Sequence, residues 1–236
     1  MYNNSNADPW INTEERAKTP LYKHIAKTYA WMFLGLMVTF ATAYSLYSTG
    51  LVWFVFYFSW MPIALLIAKL ALVWFLTSKM YSFQVNTVRT IFLAYSFLTG
   101  VVFSTLFIMY DATDSILLFG VTALFFGLMA GIGLITKKDV SRYGSIIVFG
   151  LVALLIMSLI SYFLNLYMLD IILCFVGLFV FLGVTTYDSK KAKDFYYQFE
   201  GDSEMLEKIS VYSALNLYLD FINVFLYLLR LFGKKR

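Results

Sequence analysis

Asp220 stands in the run Leu217-Tyr218-Leu219-Asp220-Phe221-Ile222-Asn223, deep in the last apolar segment of a 236-residue chain. A carboxylate at that depth costs from ~2.5 to more than ~10 kcal/mol, so it needs a partner, a proton or water. A second carboxylate, Asp188, closes the preceding apolar segment. Two acids that meet out of water cannot both ionise easily; they would share a proton and act as a proton sensor. Steps of four, three, four and three put Asn216, Asp220, Asn223, Tyr227 and Arg230 on one helix face. Lipid cannot satisfy such a polar stripe, so it must face protein or water. Calcium takes about 6–8 oxygen ligands and favours carboxylates. Asp188, Asp220, Asn216, Asn223 and water could therefore form a weak calcium transit site, weak being what an ion that must also leave requires.

Each acid also has a plainer reading. Asp188 could cap its helix or pair with Lys190 or Lys191, and Asp220 could be a buried acid satisfied by a neighbouring Asn or Tyr. The single histidine, His24, lies in a basic stretch and is expected to be solvated or at headgroup level. The single cysteine, Cys174, leaves no disulfide within the chain. Neither supports a metal site of the usual ligand types, no cofactor is implied, and no phosphate-binding loop suggests a pump.

The elements that must position these side chains are membrane helices. Hydrophobic residues make up 61% and charged residues 14%, with a mean hydropathy of +0.76; soluble domains average about 25% charged. No charge falls between Lys27 and Lys69, and uncharged runs follow at 90–110, 115–136, 143–169 and 171–187. A bilayer is crossed by ~20 helical residues. The reading is an all-α integral membrane protein: a bundle of seven spans at about 28–48, 54–78, 88–110, 115–136, 143–164, 169–188 and 204–232, with the last helix central. Residues 1–24 form a flexible polar tail, 25–233 the membrane domain and 234–236 a basic tail. Pro62 falls in the first turns of the second span, where its effect is mild. Ala41-Thr42-Ala43 resembles a signal-peptidase site, but the long preceding region with Glu14 and Glu15 favours an uncleaved first span.

Charge sets the orientation. Arg16, Lys18, Lys23 and Lys27 precede span 1; Lys79 and Arg89 follow span 2; Lys137, Lys138 and Arg142 follow span 4; Lys190, Lys191, Lys193 and Lys208 follow span 6. The loops near 49–53, 111–114 and 165–168 carry no Lys or Arg. The amino terminus is therefore expected in the cytoplasm. Lys234, Lys235 and Arg236 then fall outside unless span 7 enters and returns; a full crossing is preferred. The net charge of +4 is this loop bias, and nucleic acid is not an expected partner. Gly120 and the GxxxG of Gly127-Leu128-Met129-Ala130-Gly131 suit close helix packing, expected inside the bundle, with homodimerisation the lesser reading. Trp31, Trp53, Trp60 and Trp74 are expected to face lipid or the interface.

Ala214-Leu215-Asn216-Leu217-Tyr218-Leu219-Asp220-Phe221-Ile222-Asn223-Val224-Phe225-Leu226-Tyr227-Leu228-Leu229-Arg230-Leu231-Phe232-Gly233, with Tyr187-Asp188, resembles the signatures of the Bax inhibitor-1 family, its bacterial members most. The resemblance implies a pH-sensitive passive calcium leak in the bacterial inner membrane, gated by Asp188 and Asp220. In the relatives an Arg at the end of helix 2 latches the helix 6 aspartate. Here that place reads Thr77-Ser78-Lys79, so Lys79 is the latch candidate and Lys69, within the span, the second. A lysine latch is looser, because ammonium lacks the bidentate fork of guanidinium. An acidic residue associated with helix 2 of relatives is absent. The alternative is a non-conducting regulator that binds another membrane protein, such as a membrane protease. An intramembrane aspartyl protease also uses two aspartates, but Leu217-Tyr218-Leu219 replaces the Gly-x-Gly expected before the second, so no enzyme is expected.

Overall fold

The computed structural model describes residues 20–136 and 144–235, the side chain of Tyr162 apart. Arg16, Lys18, Lys137, Lys138, Arg142 and Arg236, and most of the expected tail, lie outside the described residues. Helices α1 (Leu21–Ser48), α2 (Phe54–Tyr57), α3 (Met61–Lys79), α4 (Val85–Ser104), α5 (Leu106–Met109), α6 (Ala112–Ile135), α7 (Gly144–Leu164), α8 (Tyr167–Gln198) and α9 (Ser203–Phe232) follow one another. Among the described residues seven segments are long and apolar enough to cross a membrane: α1, α3, α4 with α5, α6, α7, α8 and α9. The chain is an all-α membrane bundle, as its composition requires.

Three boundaries move. Helix α1 starts at Leu21, behind Pro20 in extended backbone, and so takes in the end of the expected tail. The second span does not begin at 54. Phe58 is extended, and α3 starts at Met61 with Pro62 in its first turn. Proline there has no N–H to satisfy and a φ already set for helix, so it opens a helix where deeper in one it would break the ladder. The third change matters most: α8 does not stop at 188 but runs three turns further, to Gln198. Lys190 pairs with Asp194 one turn on, and Tyr196 is buried against the amino-terminal turn of α1, its ring 5.7 Å from His24. Gly201 takes φ +100°, where a side chain would be strained, and α9 returns antiparallel, its first turn capped by the Asp202 carboxylate accepting from Met205 N at 2.9 Å.

Helix α9 is the centre. More than half of its most apolar window is buried (56%), against 6% for α3, and it packs on α1, α4, α6 and α8. Val88, Phe92, Phe126, Leu215, Tyr218, Phe221 and Phe225 form the shared core. Tyr218 is held edge-on by Phe92 and Tyr95, and its hydroxyl meets Thr39 Oγ1 at 2.6 Å. At the basic end, Glu207 of α9 accepts from Lys27 of α1 (2.7 Å) and Arg89 of α4 (2.5 Å), a clamp across three helices. At the other end the Asp111 N–H donates to Lys234 O (2.9 Å), the Lys234 N–H donates to Asp114 Oδ2 (3.1 Å), and Lys235 bridges Tyr110. Helix α9, 30 residues and so about 45 Å long at ~1.5 Å per residue, therefore crosses completely. The entering-and-returning alternative is ruled out.

Two packing expectations are corrected. Gly120, Gly127 and Gly131 face open space, with no atom near where a Cβ would sit, so the GxxxG face points out of the bundle. The glycine of α6 that does pack is Gly133, pressed on the Thr186 carbonyl and Ser189 of α8. Trp31 turns inward, edge-on to Phe92 with the Arg89 guanidinium over its ring, whereas Trp53, Trp60 and Trp74 are exposed as expected.

Candidate functional site

The α8–α9 hairpin decides where the two acids sit. Had α8 ended at Asp188, this acid would lie at the membrane boundary, several turns from Asp220. Because α8 continues for ten residues before the chain turns, Asp188 lies well inside the helix. The returning α9 brings Tyr212 and Asn216 level with it and Asp220 one turn deeper. Asp188 is half-buried and Asp220 only 3% exposed. Asp188 is the charged group that acts on Asp220 through space. Oδ2 of Asp220 has no hydrogen-bond partner among the described residues. Asn223 does not satisfy it; its side-chain amide donates to Leu219 O at 2.8 Å. The plain reading of Asp220 as an acid satisfied by Asn or Tyr therefore fails for this oxygen.

A cleft of about 660 Å³ leads to the pair, lined among others by Gly144, Val148 and Leu151 of α7, Asp188 and Lys191 of α8, and Asn216 of α9. It exists because α7 leans on α8 and stands off α9. Asp188 and Asn216 are on its wall and Asp220 lies behind them. Lys191, one turn from Asp188, is the cation that acts on it; its ammonium rests over Tyr187 (5.9 Å) and Phe195 (5.5 Å) and forms no ion pair among the described residues. Lys190, the other expected partner, is engaged by Asp194. Spacing of three from Asp188 was the signal for Lys191; a lysine outside the apolar run reads as loop until the helix is known to continue.

Neither latch candidate reaches this place. Lys79 is exposed at the end of α3, and Lys69 lies over the Tyr95 ring at 5.3 Å on the far side of α4; no ion pair joins either to Asp188 among the described residues. The physical reason is the position of α3, which packs on α4 and stays away from α8. The polar stripe of α9 also divides. Asn216 lines the cleft, and Asp220 lies one turn beyond it. Tyr227 lies against Gly177, and Arg230 meets Asp170 of α8 at 3.8 Å at the opposite end. His24 is not solvated: it is 1% exposed, with Nδ1 3.0 Å from Ser210 Oγ.

The model for the family described as inhibitor of apoptosis-promoting Bax1 matches residues 21–236, which takes in every helix above. The chain belongs to the Bax inhibitor-1 family. It is similar to the inner membrane protein YbhL of Escherichia coli K12, with 37% identity over 218 residues, 92% of this chain and 93% of the relative. A Borreliella burgdorferi protein is 32% identical over 215 residues (91% and 93%), and a Rickettsia prowazekii protein 31% identical over 229 residues (96% and 97%). These matches run nearly end to end on both sides, so this Bax inhibitor-1 member shares its whole membrane domain with bacterial relatives.

Proposed function

We propose that this protein is a pH-sensitive passive calcium leak of the bacterial inner membrane, with Asp188 and Asp220 as its gate and transit site. The observation that carries the reading is a buried carboxylate with an unpartnered oxygen, faced by a second carboxylate on the wall of an open cleft. A structural acid would have its lone pairs filled; one kept unfilled at such cost is disposed to take a proton or a cation. The membrane placement follows the similarity to an inner membrane protein. The orientation, with the Lys-rich end and the cleft in the cytoplasm, follows the loop charges.

In this mechanism a cation enters the cleft beside Asn216 and meets Asp188. It displaces the through-space hold of Lys191 and is passed to Asp220 one turn deeper. A proton competes for the same oxygens. The shared proton keeps two like charges from forming in a low-dielectric place and so keeps the pair together; its loss or replacement by calcium changes the spacing of α8 and α9. Lys191 takes the part that the resemblance would have given to Lys79 or Lys69. No step is catalytic.

Calcium flux from proteoliposomes, measured across a range of pH, tests the reading. Asp220→Asn and Asp188→Asn should each abolish the pH dependence and lower the flux. Wild-type flux with an unchanged pH profile in both variants would defeat it. A co-purifying membrane protein together with no flux from the pure chain would favour the non-conducting regulator.

A further inference from the structure

Two helices carry one continuous face from end to end. On α8 it is Asp170, Cys174, Gly177, Phe181, Val184 and Asp188; on α9 it runs from Tyr212 through Asn216, Asp220, Asn223 and Tyr227 to Arg230. At the basic end it lines the cleft already described. At the opposite end it lines a second vestibule of about 930 Å³, walled by Leu155 and Ser158 of α7, Asp170 and Cys174 of α8, and Arg230 of α9. On α7 the first cleft ends at Leu151 and the second begins at Leu155, four residues apart, or about 6 Å at ~1.5 Å per residue. The two vestibules thus approach each other in line.

What separates them is aromatic. The Tyr227 ring lies directly on the Gly177 backbone, so close that a Cβ there would overlap the ring's Cε1 and Cε2 at 2.7 and 2.8 Å. Phe181 packs beside it, ring centroids 5.9 Å apart. Tyr227 is the aromatic side chain of the α9 stripe at this depth, and glycine is the residue of α8 that lets it close the gap.

We propose that Tyr227, seated on Gly177 and backed by Phe181, is the plug of a continuous ion path between α7, α8 and α9, one turn or two beyond the Asp188–Asp220 pair. The path rests on the leak reading, but the plug is tested without calcium. Cys174 is the chain's single cysteine and lies one turn from Gly177, on the far side of the plug. A membrane-impermeant maleimide is applied to spheroplasts and to inverted vesicles that contain the full chain, and Cys174 labelling is compared. In the wild type, labelling should come from one side, the one that bears Tyr110 and Lys235. Tyr227→Ala should bring the ratio of the two rates to near unity. Gly177→Ala should do the same by lifting the ring, and Tyr227→Phe should keep the wild-type ratio. Calcium flux should rise several-fold in the first two. Lost sidedness without flux upholds the plug and defeats the calcium reading. Sidedness retained in both Tyr227→Ala and Gly177→Ala, or absent already in the wild type, overturns the plug while leaving the calcium reading to its own test.

Discussion

Asp220→Asn should make this protein more stable. The substitution preserves volume and removes a charge from a position that is 3% exposed, where one carboxylate oxygen has no partner among the described residues. Leaving a buried polar atom unsatisfied costs ~1–3 kcal/mol, and more when it is charged. Even with one proton shared, a negative charge stays between the two carboxylates, and Lys191 is not close enough to form an ion pair with it. For a chain of this size ~1 kcal/mol moves Tm by ~2–4 °C, so relief of ~1–3 kcal/mol predicts a rise of about 2–12 °C. The assay is thermal unfolding of the detergent-solubilised bundle, read as loss of helical circular dichroism.

The pair makes the argument sharper. Asp188→Asn should also stabilise, because it removes the repulsion without touching Asp220. The two gains then come from one interaction, so the double variant should fall short of their sum by about 0.5–3 kcal/mol, the usual size of coupling between contacting residues. An unchanged or lower Tm in Asp220→Asn, or simple additivity in the double variant, would refute the reasoning. Asp220 would then be a satisfied structural acid, or the two charges would not feel each other.

Glycine substitutions separate packing from pattern. Gly133→Ala must move the Thr186 backbone and should cost about 1–3 kcal/mol, whereas Gly127→Leu meets open space and should stay within about 0.5 kcal/mol; the same thermal assay reads both. Glu207→Gln should lower stability by about 1 kcal/mol, since both ion pairs of the α1–α4–α9 clamp are partly exposed; the loss should shrink at high salt, and a salt-independent loss would assign it to packing.

The membrane class, the number of spans and the central place of α9 were legible because burial in lipid leaves a long signature: uncharged runs for each crossing and one helix whose polar residues repeat on a single face. Periodicity gives a face but not a depth. It put Asn216, Asp220, Asn223, Tyr227 and Arg230 on one stripe, yet the stripe spans 14 residues, about 21 Å at ~1.5 Å per residue, and its two ends open into different vestibules. Composition likewise misled at Gly127 and Gly131. A small-residue motif says that a backbone can be approached, while which neighbour approaches is decided by the other helices. Lys69 and Lys79 failed as partners of Asp188 for the same reason, since nothing local to α3 says that it docks chiefly on α4 and away from α8.

Depth was set by a segment outside the apolar runs. Ser189 to Gln198 is polar and reads as loop, yet its buried face (Ser189, Ala192, Tyr196) docks on the bundle beside α1, where the Tyr29 hydroxyl lies 3.1 Å from Ser189 Oγ. That docking carries α8 past the last apolar residue, delays the turn to Gly201, and so fixes how far α9 has travelled when it passes Asp188. A hairpin that turned at 190 would place Asp188 beside the first turns of α9 and leave Asp220 level with Cys174 and Gly177. The meeting of the two acids is therefore a matter of register, imposed from the basic end by the contacts of Ser189, Ala192 and Tyr196 rather than by any attraction between the acids, which repel. Shortening or lengthening the helical extension would slide the two acids out of step without touching either aspartate.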